Sequence, residues 1–167
     1  MFVRFATADG KTFRAQDAAL LVLDELWLVT DRTQSDVEAK NSKGVYKAED
    51  LNRVGSVVEY LAERLRSAGV SVNVSPVTNW TDMDWGTPTA MRAYLADVQT
   101  MRGALKLAES TPAVPADMDK LTYTDANQIE MILLALDVHI KNMLMTLDAG
   151  WALGLAYTGL YAKEAYK

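Results

Sequence analysis

The chain has 167 residues, half of them hydrophobic, with 17 basic against 22 acidic side chains and a net charge of −5. That is enough apolar material for one domain with a real core, and a sequence pI of about 4.9 with scattered Lys and Arg leaves no basic stripe to neutralise phosphates, so nucleic acid is not an expected partner. The lack of cysteine excludes a disulfide framework, a thiolate metal site and a cysteine nucleophile at once.

Phe2-Val-Arg-Phe-Ala-Thr, Asp9-Gly10 and Lys-Thr-Phe13-Arg have the shape of a short hairpin, because Asp-Gly readily supplies the positive φ of a tight turn. Leu20-Leu-Val-Leu-Asp-Glu-Leu-Trp27-Leu-Val-Thr30 reveals no period, and its β-branched end favours a strand over 27–30. Thr33 then opens a short polar surface helix. Asp36 stands near its positive end, Lys40 and Lys43 near its negative end, and Gly44 is the expected left-handed stop.

The spacing next predicts a helix over 48–68 that buries Leu51, Val54, Val57, Val58, Leu61 and Leu65 and stops at Gly69. Val70-Ser-Val72-Asn-Val74-Ser-Pro76-Val77 alternates apolar and polar residues and reads as an extended connector or an edge strand. Thr87-Pro88 is an N-cap followed by proline at the first helical position. The helix it opens, to about 108, carries Met91, Tyr94, Leu95, Val98, Met101 and Leu105 on one side. Thr111-Pro112-Ala-Val-Pro115 breaks that run.

The last long helix is expected over 125–147. It repeats the second one: Asp50-Leu-Asn52-Arg-Val54 with Val57, Val58, Leu61 and Leu65 returns about 75 positions later as Asp125-Ala-Asn127-Gln-Ile129 with Ile132, Leu133, Leu136 and Ile140. It is also apolar on a further side, at Met131, Leu134, Val138 and Met145, which calls for a central place in the bundle or a second chain to cover it. Trp151, Tyr157 and Tyr161 follow in a tail whose glycines at 150, 154 and 159 argue against a helix and for irregular or short β structure. The expected fold is therefore mainly α: a three- or four-helix bundle over 31–147, a small β-containing N-terminal arm over 1–30 and an aromatic docking tail over 148–167.

No reactive constellation competes with this scaffold. Asp82-Met-Asp84 between Trp80 and Trp85 supplies only part of the oxygen set a hard cation wants, so it reads as a polar turn pinned by two tryptophans. His139 is the single histidine and has neither a nucleophile signal nor a second ligand beside it. Asn52 and Asn127 occupy equivalent places early in the repeated helices, where an amide caps free backbone groups or clamps a neighbouring loop; together with Thr87 they are the candidate structural caps. Catalytic, cofactor and metal sites are not expected.

Four strings carry a family resemblance: Trp27-Leu-Val-Thr-Asp-Arg-Thr-Gln-Ser-Asp-Val37, Tyr46-Lys-Ala-Glu-Asp-Leu-Asn-Arg-Val54, Asn79-Trp-Thr-Asp-Met-Asp-Trp-Gly-Thr-Pro88 and Leu121-Thr-Tyr-Thr-Asp-Ala-Asn-Gln-Ile-Glu130. They resemble an uncharacterised family of structural proteins from tailed phages and prophages of Firmicutes, found among tail, baseplate and adhesin components. Relatives carry a longer insertion where this chain has only 38–45, and residues 1–26 fall outside the resemblance. The resemblance implies a non-enzymatic virion subunit that assembles with itself and other virion proteins. Met1 to Asp9 carry no basic start followed by an apolar stretch and no uncharged run approaches about 18 residues, so synthesis in the host cytoplasm without a signal or a membrane span is expected. A capsid decoration or head–tail adaptor protein is the first alternative, and a module that stacks host-surface glycans on its tryptophans the second. The expected interface comprises Met131, Leu134, Val138, Met145, Trp151, Tyr157 and Tyr161.

Overall fold

A computed structural model describes residues 4–6, 12–14, 28–82 and 87–164, with side chains over 28–82 and 87–146. The protein is mainly helical. Its elements are β1 (Arg4–Ala6), β2 (Thr12–Arg14), α1 (Gln34–Ala39), α2 (Ala48–Ser67), α3 (Pro88–Gly103) and α4 (Tyr123–Glu164). The two strands pair antiparallel with Phe5 opposite Phe13; the Asp9-Gly10 turn lies outside the described residues.

α1 starts where the sequence places it, because Thr33 and Asp36 satisfy each other's backbone. The Thr33 hydroxyl accepts the Asp36 N–H at 3.2 Å, and the Asp36 carboxylate accepts the Thr33 N–H at 2.8 Å. Its end differs from expectation. Lys40, not Gly44, takes the left-handed conformation (φ 49°). Gly44 serves another purpose: the loop folds back so closely that a Cβ there would sit 1.9 Å from the Asp36 carbonyl oxygen.

α2 begins when Asp50 accepts the Lys47 N–H at 2.8 Å and ends in a Schellman turn. Gly69 adopts φ 82°, its N–H donates to the Arg66 carbonyl at 2.9 Å, and the Val70 N–H reaches back to Leu65 at 2.8 Å. α3 has Thr87 as its N-cap, whose hydroxyl accepts the Ala90 N–H at 3.3 Å ahead of Pro88. It stops at Gly103, short of 108, because Arg102 turns onto the following loop and donates to the carbonyls of Pro112 and Thr111 at 2.6 and 3.1 Å.

The core is the meeting of three stripes. Leu51, Val54, Val57, Val58, Leu61 and Leu65 of α2 face Met91, Leu95, Val98 and Met101 of α3 and Ile129, Ile132, Leu133, Leu136 and Ile140 of α4. Each large aliphatic side chain buried this way contributes roughly 1.5–3 kcal/mol. Arg53 meets Glu130 and Arg64 meets Asp137 across the interface, so α2 and α4 run in the same direction.

Two further expectations are corrected, and one of the two readings offered for residues 70–77 is met. Residues 28–30 are extended but join no strand; Trp27 lies outside the described residues. Residues 70–77 form an extended connector, with Val72 buried and Val70 and Val74 packed on the core. The tail expected as irregular or short β structure is helical over 148–164, because α4 continues unbroken through Glu164; residues 165–167 lie outside the described residues. Each of its glycines costs a helix only about 1 kcal/mol, and the alanines and leucines between them favour one while no proline interrupts.

Candidate assembly surface

The two repeated helices share more than a stripe. Asn127 accepts the Arg32 N–H at 3.0 Å and donates to the Arg32 carbonyl at 2.9 Å. Asn52 accepts the Trp80 N–H at 2.6 Å and donates to the Trp80 carbonyl at 2.9 Å. Each amide therefore satisfies both main-chain groups of one residue in an extended segment, a tighter hold than a helix cap. The clamped residues lie in matching strings, Thr30-Asp-Arg-Thr33 and Thr78-Asn-Trp-Thr81. The first segment precedes α1 and α2 yet is held by α4, while the second precedes α3 and α4 yet is held by α2. The exchange is reciprocal.

Behind the first clamp lies an ion network that the sequence reading missed. The Arg32 guanidinium contacts Asp50 at 3.0 Å and Glu130 at 2.7 Å, and donates to the Val29 carbonyl at 2.6 Å. Arg53 also reaches Glu130, at 2.8 Å, and pairs with Asp50. The second Glu130 oxygen accepts the Val29 N–H at 2.5 Å. Glu130 is fully buried, a position tolerable only because two arginines and an amide surround it. Burial works against the Arg53 charge, but Glu130 and then Asp50 overcome it and hold the guanidinium above its ordinary range.

Beside the network the Tyr46 and Tyr94 hydroxyls meet at 2.8 Å, and the Arg32 guanidinium lies over the Tyr46 ring. Burial pushes both phenols up. At the other end of α2, Arg64 and Lys141 close on the buried carboxylate of Asp137 at 2.5 and 3.1 Å. The sequence did carry a hint. Glu130 and Asp137 sit one heptad apart among the core positions of α4, where a carboxylate needs a cation.

This arrangement fixes chain segments in place; its acids face arginines instead of an open cleft. A cavity of about 370 Å³ adjoins it, lined by Arg32, Lys43, Tyr46, Thr122 and Tyr123 among others. A smaller apolar one of about 70 Å³ lies between Val54, Val77, Trp80 and Val98. Among the described residues no group of three or more His, Cys, Asp or Glu is placed to hold a metal ion. Asp82 and His139 are exposed, and Asp84 and Trp85 lie outside the described residues. Trp80 packs partly buried on the core, and its indole N–H has no partner among the described residues.

The interface residues expected on α4 divide in two. Met131, Leu134, Val138 and Met145 are 42%, 42%, 49% and 70% exposed. They form one row along the helix, opposite the core stripe. Trp151, Tyr157 and Tyr161 belong to the same helix, but their side chains lie outside the described ones. At about 1.5 Å per residue the 42 residues of α4 span about 63 Å, twice the reach of the 20-residue α2. Among the described residues no helix is long and apolar enough to cross a membrane.

No family model, curated protein or solved structure matches the chain.

Proposed function

We propose that the protein is a non-enzymatic structural subunit of a phage particle, acting by protein–protein assembly at a tail, baseplate or adhesin. The exposed apolar row on α4 carries this reading. Four large hydrophobic side chains in a line on a helix that outruns its own bundle are costly in water and valuable in an interface. The resemblance of the four quoted strings to tail and baseplate proteins supplies the context. In this reading the paired strands near the N-terminus and the aromatic end of α4 are attachment pieces, and the clamps and ion network keep the scaffold rigid between them.

A capsid decoration or head–tail adaptor would use the same surface elsewhere on the particle. Stacking of host glycans is less favoured, since Trp80 spends its face on the core. The deciding experiment is to image the intact particle with this subunit labelled. Density at the tail or baseplate is expected; density on the capsid shell moves the protein to the rival position, and a particle without the subunit overturns the reading.

A further inference from the structure

We infer that α4 pairs with α4 of a second copy in antiparallel orientation, along the row that begins at Met131; this rests on α4 being the assembly surface. Met131, Leu134, Val138, Lys141 and Met145 follow one another at alternating steps of three and four. Those steps average 3.5 residues, the spacing at which one helix seats on another as a coiled coil. Continued at the same steps along the unbroken helix, the seam passes through positions 148, 152 and 155, filled by Asp, Ala and Leu. It therefore extends over more than three heptads, the length at which such a repeat becomes significant.

Charge selects the occupant. The seam carries two charged positions, Lys141 and Asp148, of opposite sign and one heptad apart. A second copy laid parallel and in register sets lysine against lysine and aspartate against aspartate on an otherwise apolar seam, an arrangement that costs stability. Turned end for end, the same copy brings Lys141 level with its Asp148 at both places. One interface then pairs with itself about a two-fold axis, the commonest symmetry of homodimers. The axis passes beside Met145, which meets its own counterpart, while Leu134 comes level with Leu155 of the other copy. The half-buried Lys141 ammonium already touches Asp137 and has donors left for a second carboxylate.

The chain lacks cysteine, so thiol cross-linking reads this geometry without background. Met145→Cys, Met131→Cys, Leu134→Cys and Leu155→Cys are made singly and oxidised, alone and as mixtures. The expected pattern is a covalent dimer from Met145→Cys at least ten-fold more abundant than from Met131→Cys. Leu134→Cys and Leu155→Cys should cross-link when mixed and neither alone. If Met131→Cys and Leu134→Cys each join to themselves as readily as Met145→Cys, the antiparallel pairing is overturned while self-assembly stands. A wild-type chain that sediments as a monomer at every concentration also overturns the pairing. If that monomer still attaches to particles lacking it, the assembly reading survives; if it does not, both fall.

Discussion

Gly55 and Glu130 stand at the same place in the two repeated helices, 75 positions apart, and each meets the main chain of the segment its helix clamps. Gly55 does so by having no side chain: a Cβ there would lie 2.3 Å from the Val77 carbonyl oxygen. Glu130 does so by accepting the Val29 N–H at 2.5 Å. Val29 and Val77 are each three residues before the clamped residue. One packing plan is thus executed twice, once through an absence and once through a charge.

Replacing Gly55 by Ala should therefore push the 76–81 segment off α2. Overpacking of this kind costs typically 1–3 kcal/mol, visible as a lower urea midpoint with an unchanged slope. Amide exchange at Trp80 should quicken while that at Arg32 stays as it was. Equal acceleration at both would mean that the two segments are not held independently.

The clamps invite a matched pair of truncations. Asn127→Ala frees the Arg32 N–H and carbonyl, and Asn52→Ala frees those of Trp80. Leaving partly buried main-chain groups unpaired costs about 1–3 kcal/mol per group. Each variant should lose stability and show faster amide exchange at its own clamped residue. Asn127→Asp should not rescue, because a carboxylate keeps the acceptor but cannot donate to the Arg32 carbonyl.

Glu130→Gln tests the ion network while keeping the shape of the side chain. The amide can still accept from Val29, but Arg32 and Arg53 lose their shared buried carboxylate and only Asp50 remains to both. Breaking a buried pair from one side costs about 3–5 kcal/mol. Chemical denaturation should show a loss of that order, and replacing Lys43, whose pair with Asp31 is exposed, should change stability by less than about 1 kcal/mol.

Much of this scaffold was legible, for local reasons. The stripes of α2, α3 and α4 recur at three- and four-residue steps, and Thr33, Thr87-Pro88 and Gly69 punctuate them with caps whose chemistry acts within a few residues. What escaped was non-local or additive. The 28–30 segment has the β-branched composition of a strand, yet the Val29 N–H donates to the Glu130 side chain on α4, about 100 positions away, and the Val29 carbonyl accepts from the Arg32 guanidinium. The glycines of the last segment are individually unfavourable in a helix, but their sum is outweighed by neighbours that favour one. The Arg32–Glu130 contact spans 98 positions, and nothing near either residue announces the other.

Asp36 gives the α1 corner an acid sensitivity of its own. The Asn41 side chain, then the Thr33 hydroxyl and N–H, stabilise its carboxylate and lower its pKa to about 2 from 3.8. A depressed folded value means that this stabilisation is complete above the ordinary carboxyl range and disappears as pH falls from about 4 through about 2. Carboxyl NMR should place the Asp36 midpoint near 2. Asn41→Ala should raise it, since the amide that does most to stabilise the carboxylate is gone.

At the alkaline end the Tyr46–Tyr94 pair should dominate. Burial raises both phenols, so in the folded state they stay protonated where an exposed tyrosine, near pH 10, loses its proton. The stability they contribute is present below that ordinary value and declines as pH rises past it, because the unfolded chain then releases protons that the folded one retains. The Tyr46 and Tyr94 phenolates should accordingly appear in the absorbance only with unfolding, as a late cooperative step. Tyr94→Phe leaves the Tyr46 hydroxyl without its partner at 2.8 Å and should cost about 1–3 kcal/mol, whereas the double change to phenylalanine removes both polar groups and should cost less than the single one. If the double variant is the weaker of the two, the hydroxyl pair is an asset of the core in its own right and not two polar groups that happen to satisfy each other.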